Sequence, residues 1–174
     1  MDNEQRLDAL EVALNNEIRE RDFYLKNAAR TKNAPGREMF SRIALDETEH
    51  YERLKKLHEE WKVNARWPET VPLTVNETNV RDILVNTLKK VDASEPCDAD
   101  DLGAVKTAVE FEEKGVIFYK DLAASSTDER EKAFFGLLSS IEYEHYLSLR
   151  DAEEYFENPA AWFVKTEHSM RDGG

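Results

Sequence analysis

The sequence contains only one cysteine, Cys97, among its 174 residues, so it can form neither an internal disulfide nor a cysteine-held iron–sulfur cluster. Glycine and proline are also scarce, at 6 and 5 residues, which disfavours a turn-rich sandwich or barrel. No apolar run approaches the roughly 18 residues of a membrane span, and the acidic N-terminus lacks the basic and apolar regions of a signal peptide. We therefore expect a cytoplasmic protein with no membrane contact.

Basic residues are fewer than acidic ones: the sequence has 24 Lys and Arg residues and 37 Asp and Glu residues, which gives a net charge of −13. Such a chain repels a phosphate backbone, and no basic stripe is present, so we expect no nucleic-acid partner. The abundance of Ala, Glu, Lys, Leu and Arg favours helices, and a 40% hydrophobic fraction can fill the core of one domain. The ordinary interpretation of this charge is an acidic, solvated surface. Any functional role of the acidic residues must therefore be inferred from their positions in the sequence and not from their number.

The chain repeats itself without a gap at an offset of 95 residues, which places Glu17 on Glu112 and Glu47 on Glu142. Other matching pairs are Phe23-Tyr24 with Phe118-Tyr119, Phe40 with Phe135, Glu49-His50-Tyr51 with Glu144-His145-Tyr146, and Leu54 with Leu149. Apolar residues recur at steps of three and four within each half. Each half is therefore predicted to be a helical hairpin.

Four long helices are predicted from this periodicity and from capping residues. Their approximate ranges are 3–31, 37–61, 99–124 and 128–157. A turn at Asn33-Ala34-Pro35-Gly36 separates the first two helices, Asp98 is the expected N-cap of the third, and Thr127 is the expected cap of the fourth. Asn158-Pro159 ends the fourth helix.

A long crossover at about 62–98 joins the two halves and contains a short amphipathic helix near 77–91. A connection of this length can run from one end of the bundle to the other and make the second and third helices parallel. That topology is similar to the ferritin-like bundles. The prediction is an all-α, ferritin-like four-helix bundle in a single domain, with hairpins at about 3–61 and 99–157 and a tail at 158–174 within residues 1–174.

The turn positions bring the repeated glutamates to the same depth in the bundle. Antiparallel helices pair residues that are equally far from the turn between them. The midpoint of Glu17 and Glu47 is residue 32, in the first turn, and that of Glu112 and Glu142 is residue 127, in the second. All four carboxylates are therefore expected to be level with one another.

Each second-helix glutamate is followed by a histidine three residues later, as Glu47-x-x-His50 and Glu142-x-x-His145, and such a pair shares one helix face. Four buried carboxylates would need neutralising, and two divalent cations would supply the compensating charge. Oxygen and imidazole ligands without thiolates suit iron or manganese. We predict two iron ions, with manganese possible, held by Glu17, Glu47, His50, Glu112, Glu142 and His145.

The neighbours of these ligands allow more than one interpretation. Tyr24 and Tyr119 could hydrogen-bond a ligand carboxylate or relay an electron, or could simply pack in the core with a satisfied hydroxyl. Glu20 is expected at the surface, although it could be an additional ligand, and its repeat counterpart is Gly115. Gly115 could permit close approach to the metals or tight helix packing. His58 and His168 lack the preceding glutamate and are expected to be ordinary histidines.

Two fragments resemble the helix signatures of the rubrerythrin family within the ferritin-like superfamily. They are Ala108-Val-Glu-Phe-Glu112-Glu-Lys-Gly-Val-Ile-Phe-Tyr119-Lys-Asp-Leu-Ala123 and Ile141-Glu-Tyr-Glu-His145. The resemblance covers roughly residues 5–157, and Asn158-Pro-Ala-Ala-Trp-Phe163 with Gly173-Gly174 is similar to the tails of relatives that lack rubredoxin. It implies a non-haem di-iron oxidoreductase that reacts with hydrogen peroxide or dioxygen in defence against oxidative stress, with the six predicted ligands at the family's ligand positions.

The chain departs from this family pattern at two points. Because a rubredoxin domain needs four cysteine ligands, the single cysteine implies that electrons come from an external donor such as a separate rubredoxin-like protein. Gly115 stands where the family typically has an extra carboxylate, which makes peroxidase activity a weaker expectation than metal binding. The alternatives are a ferroxidase that sequesters iron, a metal-free helical adaptor with solvent-facing Glu/His pairs, and a manganese oxidase. A homodimer is expected, as in many such bundles.

Overall fold

A computed structural model describes residues 2–65, 67, 86, 99–162 and 164–165. Within these residues the chain forms four long helices and no strand, which confirms the all-α, ferritin-like prediction. The helices are α1 (Asn3–Arg30), α2 (Ala34–Asn64), α3 (Ala99–Ser125) and α4 (Glu129–Glu157). The predicted crossover helix, apart from residue 86, and the predicted cap at Asp98 lie outside the described residues.

Side-chain caps fix where three of the helices begin. Asp2 and Gln5 form a capping box at the start of α1. Asn33 caps α2, because its side chain accepts a hydrogen bond from the Gly36 N–H at 2.9 Å. The predicted boundary at residue 37 was therefore wrong: Pro35 lies in the first turn of α2, where proline removes no intrahelical hydrogen bond.

The start of α4 also corrects a prediction. Asp128, rather than Thr127, is the N-cap, and its carboxylate accepts hydrogen bonds from the backbone N–H groups of Arg130 and Glu131. A carboxylate is well placed there because the N-terminus of a helix carries partial positive charge. The helix ends at Glu157 with Asn158 as its C-cap, as the Asn158-Pro159 pair predicts.

The four helices form two antiparallel hairpins, in which α1 packs along α2 and α3 packs along α4. Two hydrogen bonds between α1 and α3 establish the relative direction of the hairpins. Tyr24 on α1 donates to Glu112 on α3, and Tyr119 on α3 donates to Glu17 on α1. On each of these helices the glutamate precedes the tyrosine, and the glutamate of one helix contacts the tyrosine of the other. The two helices, α1 and α3, are therefore antiparallel. It follows that α2 and α3 are parallel, as the long crossover predicts.

Two hydrophobic clusters fill the bundle, and repeat-related residues occupy corresponding places in them. One contains Tyr24 and Phe40, and the other contains Tyr119 and Phe135. All four side chains are almost completely buried, and burial of large aromatic groups is a main source of stability in such a core. Among the described residues, no helix has both the length and the apolar character needed to cross a membrane.

Candidate metal centre

The six predicted ligands lie together inside the bundle, and none is more than 2% exposed. Two overlapping groups of side chains each bring one ligand atom per residue within 4.8 Å of the others. The first group is Glu17, Glu47, His50 and Glu142, and the second is Glu47, Glu112, Glu142 and His145. Each group offers three carboxylates and one imidazole, which is a ligand set that iron or manganese accepts.

Two carboxylates belong to both groups, which gives the six residues distinct positions. Glu47 and Glu142, the repeat-related glutamates of α2 and α4, belong to both groups, so each would be available to two cations. Glu17 belongs only to the group that contains His50, and Glu112 only to the group that contains His145. The centre therefore has the approximate twofold symmetry of the sequence repeat.

Both histidines turn the same ring nitrogen toward the carboxylates. The Nδ1 atom of His50 lies 3.1 Å from Glu47 Oε2, 3.2 Å from Glu17 Oε2 and 3.4 Å from Glu142 Oε1. The Nδ1 atom of His145 lies 3.4 Å from Glu47 Oε1 and 3.5 Å from Glu112 Oε2. The two rings are nearly parallel, with centroids 6.1 Å apart. Each imidazole thus faces one of the two carboxylate groups.

Tyr24 and Tyr119 support the carboxylates that belong to a single group. Tyr24 donates its hydroxyl hydrogen to Glu112 Oε1, and Tyr119 donates to Glu17 Oε1. In both glutamates the second oxygen, Oε2, is buried and has no hydrogen-bond partner among the described residues. Each tyrosine therefore orients a carboxylate and leaves its second oxygen available to a cation, and the hydrogen bond to a ligand carboxylate is one of the interpretations that the sequence allowed.

Several polar atoms at the centre lack the hydrogen bonds that buried groups normally make. The buried atoms without a partner in the described part of the chain include Glu17 Oε2, Glu47 Oε1, Glu112 Oε2, both oxygens of Glu142, and His145 Nδ1. An unpartnered buried oxygen or nitrogen costs free energy, and metal coordination would satisfy all of these atoms at once. The donor set therefore fits two bound cations.

The carboxylates also perturb one another electrostatically in the absence of a cation. Burial, together with the charge of Glu47, raises the pKa of Glu17 to about 8. Burial and the charges of Glu47 and Glu112 raise the pKa of Glu142 well above its ordinary value. Burial opposes ionisation of Glu47 too, yet the adjacent His50 and His145 hold its pKa below the ordinary value. Protons therefore compensate the buried charge when no cation is bound.

The pKa values of both histidines are raised, because the carboxylates stabilise the charged form of each ring. Burial disfavours their charged form, but the neighbouring carboxylates outweigh it: Glu47 raises the pKa of His50, and Glu112 and Asp46 raise that of His145. A cation that binds here must therefore displace protons from both imidazoles and carboxylates.

Glu20 lies closer to the centre than the sequence suggested. Its side chain is half-buried, and burial with the charges of Glu47 and Glu112 raises its pKa to about 10. It lines a cavity of about 510 Å³ between α1 and α3, which also contacts Arg19, Lys114 and Gly115. Glu20 was expected at the surface, but it is only partly exposed: it lines this cavity and is close enough to the buried carboxylates to be affected by their charges.

Gly115, the repeat counterpart of Glu20, allows Glu142 to pack closely. A Cβ atom at this position would lie 3.3 Å from Glu142 Cγ and 3.4 Å from Glu142 Oε2. At these distances Glu142 would have to shift by a few tenths of an ångström to accommodate the added carbon. Of the two explanations the sequence left open, close approach to the centre is the one the structure supports.

Asp46 is a residue of the centre that the sequence analysis missed. It is 4% exposed, and its Oδ2 atom lies 3.2 Å from Nε2 of His145. The available signal was its place directly before Glu47, at a position whose repeat counterpart is the apolar Ile141. A carboxylate at a position that is apolar in the other half indicates a specific partner.

His58, the remaining histidine in the described part of the chain, belongs to neither group of ligands. His58 lies apart from both metal-binding groups, with its Nε2 atom 3.4 Å from Glu11 Oε1. This agrees with its interpretation as an ordinary histidine. His168 and Cys97 lie outside the described residues.

Fold and site together define a four-helix bundle with a buried cluster of carboxylates and imidazoles that fits a di-iron protein. The family comparison agrees: the Rubrerythrin family profile matches residues 8–153, and the chain belongs to this family. That family typically binds iron. No curated protein matches the chain.

A solved structure supports the same fold. A hypothetical protein from Pyrococcus furiosus is similar, with a TM-score of 0.64 and 22% sequence identity. The alignment covers 91% of this chain and 97% of that one. At this identity the similarity concerns the fold alone.

Proposed function

We propose that this chain is a di-iron oxidoreductase that reduces hydrogen peroxide or dioxygen with electrons from a separate donor protein. The observation that carries the proposal is the pair of overlapping buried groups, which share Glu47 and Glu142 and each include one histidine. The family membership supports iron as the metal. Two ferrous ions, when bound, would supply the two electrons that convert one peroxide molecule and two protons into two water molecules.

The chain's own residues would hold the ions and limit side reactions. Glu47 and Glu142 would bridge the two positions, while Glu17 with His50 and Glu112 with His145 would complete them. Tyr24 and Tyr119 keep the outer carboxylates in a fixed orientation. Because all six ligands are buried, bulk water has little access to the centre.

Glu20 is placed to supply a proton for the reduction. Its side chain lines the cavity between α1 and α3 and is close enough to the buried carboxylates for their charges to raise its pKa in the metal-free protein. That cavity would admit a small oxidant such as peroxide. A carboxylic acid between the entrance and the metal ligands can therefore deliver a proton as the oxygen–oxygen bond breaks.

Anaerobic reconstitution with Fe²⁺ followed by elemental analysis tests metal binding. About two irons per chain are expected. The Glu47→Ala/Glu142→Ala variant should lose them. A matched control is Glu49→Ala/Glu144→Ala, which changes the net charge equally at another repeat-related pair outside the two groups. Equal iron content in both double variants would contradict the assignment of the site.

Stopped-flow mixing of the ferrous protein with peroxide tests the activity. Oxidation should appear as ferric absorption in the near ultraviolet, and the control variant should react like the wild type. Iron that stays ferrous in the presence of peroxide would refute the oxidoreductase proposal while leaving metal binding intact. A separate rubredoxin-like donor should then reduce the oxidised protein again.

Oxidation of Fe²⁺ for storage is the second candidate, and the net charge of −13 favours it because an acidic protein attracts cations. Storage needs a closed assembly. A monomer or the expected homodimer of a 20.2 kDa chain cannot enclose a mineral core, so sizing chromatography separates the two candidates. The adaptor alternative placed the Glu/His pairs in solvent, and their burial contradicts it.

A further inference from the structure

The two histidines of the centre have different support on the side away from the carboxylates. The Nε2 atom of His145 lies 3.2 Å from Asp46 Oδ2. The Nε2 atom of His50 is buried and has no hydrogen-bond partner within the described residues. The ring of His145 therefore has a hydrogen-bond partner on the side away from the carboxylates, whereas His50 is oriented by the contacts of its Nδ1 atom.

The contact with Asp46 determines which nitrogen of His145 carries hydrogen in the neutral ring. A carboxylate only accepts, so Nε2–H donates to Asp46 and the Nδ1 lone pair points toward Glu47 and Glu112. That is the form of the ring that binds a cation. A carboxylate behind a ligand histidine also increases the basicity of the ring, and loss of such a partner typically weakens metal binding by roughly 10-fold to 100-fold.

The sequence repeat shows that this support exists in only one half of the centre. The repeat counterpart of Asp46 is Ile141, which is 5% exposed and belongs to a hydrophobic cluster. In a symmetric centre, that position would provide the carboxylate behind His50. Its side chain has no polar atom, so the repeat supplies no corresponding partner for His50.

We propose that Asp46 is a positioning residue that makes the position beside His145 the tighter of two cation sites, with the position beside His50 exchanging its cation more readily. This inference rests on the proposed function, because it requires two bound cations. Its physical basis is the difference in hydrogen bonding between the two rings. The asymmetry would allow one cation to stay bound while the other is replaced.

Titration of the metal-free protein with Co²⁺ under nitrogen, followed by visible absorption, measures both steps. The wild type should bind two cations in unequal steps. His145→Gln should remove the tighter step, and His50→Gln the weaker one. Asp46→Leu replaces the carboxylate with a similarly branched apolar group and removes the acceptor, so it should weaken the tighter step by roughly 10-fold to 100-fold. Asp46→Asn keeps an acceptor oxygen and should retain most of the affinity.

The outcomes separate this inference from the proposed function. No stoichiometric binding by the wild type would overturn both together. Two bound cations with equal affinities, or an Asp46→Leu variant that weakens both steps alike, would overturn the inference alone. Circular dichroism establishes that the variants are folded. If Asp46→Leu does not fold, the two histidine variants still show which position is the tighter one, and a tighter position beside His50 would overturn the inference.

Discussion

Raising the pH from 6 to 8 should destabilise the metal-free protein, because the folded state holds protons that the unfolded chain releases. Glu17 has a pKa of about 8 in the bundle and 4.5 as an ordinary glutamate. A raised pKa contributes stability that is fully present below the unfolded value and is lost as the pH rises through the folded value. The pKa values of Glu142, His50 and His145 are also raised in the folded protein, so these groups add to the same loss of stability.

The size of the effect follows from the pKa of Glu17. Between pH 6 and pH 8 this group alone should lower the free energy of unfolding by about 2 kcal/mol. For a chain of this size, that corresponds to a fall in Tm of about 4–8 °C. Glu47 shifts the other way, but its contribution is lost only as the pH falls below its ordinary pKa, outside this window.

Thermal melting of the chelator-treated protein at several pH values measures this slope. Glu17→Gln is the matched control, since its amide oxygen still accepts from Tyr119 but no longer titrates. Its melting temperature should fall by less between pH 6 and pH 8. In the metal-loaded protein the cations replace the protons, so stability should not fall over this range. A metal-free protein whose stability stays constant or rises, with no difference between wild type and Glu17→Gln, would refute the reasoning.

Three further predictions concern individual side chains. Gly115→Ala should stabilise α3 by up to about 1 kcal/mol through helix propensity, yet weaken Co²⁺ binding because the new methyl group displaces Glu142; melting and titration of one sample test both. Arg6→Met should cost about 3–5 kcal/mol, because Arg6 pairs with the fully buried Glu131; adding Glu131→Leu should recover most of this in denaturant unfolding. Asp128→Ala should cost about 1 kcal/mol through loss of the α4 cap, and no change in the unfolding midpoint would contradict that role.

The fold was largely predictable because two independent signals agreed. Apolar periodicity located the helices, and the repeat at an offset of 95 residues showed that they form two equivalent hairpins. The errors lie at the helix starts. Pro35 and Gly36 suggested a turn, but Asn33 caps the helix before them, and Gly36 fits because a Cβ there would lie only 2.9 Å from Phe156 Cζ. That contact joins distant parts of the chain and leaves no local signal in the sequence.

The centre was predictable where residues repeat and less so where they do not. All six predicted ligands come together, because the spacing from the turns fixes the depth of each side chain. The hydrogen bond from Tyr24 to Glu112 was one of the possibilities that the sequence left open, and it depends on a contact between distant parts of the chain. The counterpart of Asp46 in the other half is the apolar Ile141, so a search for residues that match between the halves did not select it.

The differences between the halves are as informative as the repeat itself. Repeated residues build what each half needs: the core aromatics, the bridging and outer carboxylates, and the tyrosines that orient them. Two differences fall at the centre, where Glu20 corresponds to Gly115 and Asp46 corresponds to Ile141. Glu20 adds an acid on the cavity side, and Asp46 adds an acceptor behind one histidine. A duplicated scaffold would by itself give two equivalent cation positions, and these substitutions give each position its own environment, so that the two cations can differ in affinity and in access to the oxidant.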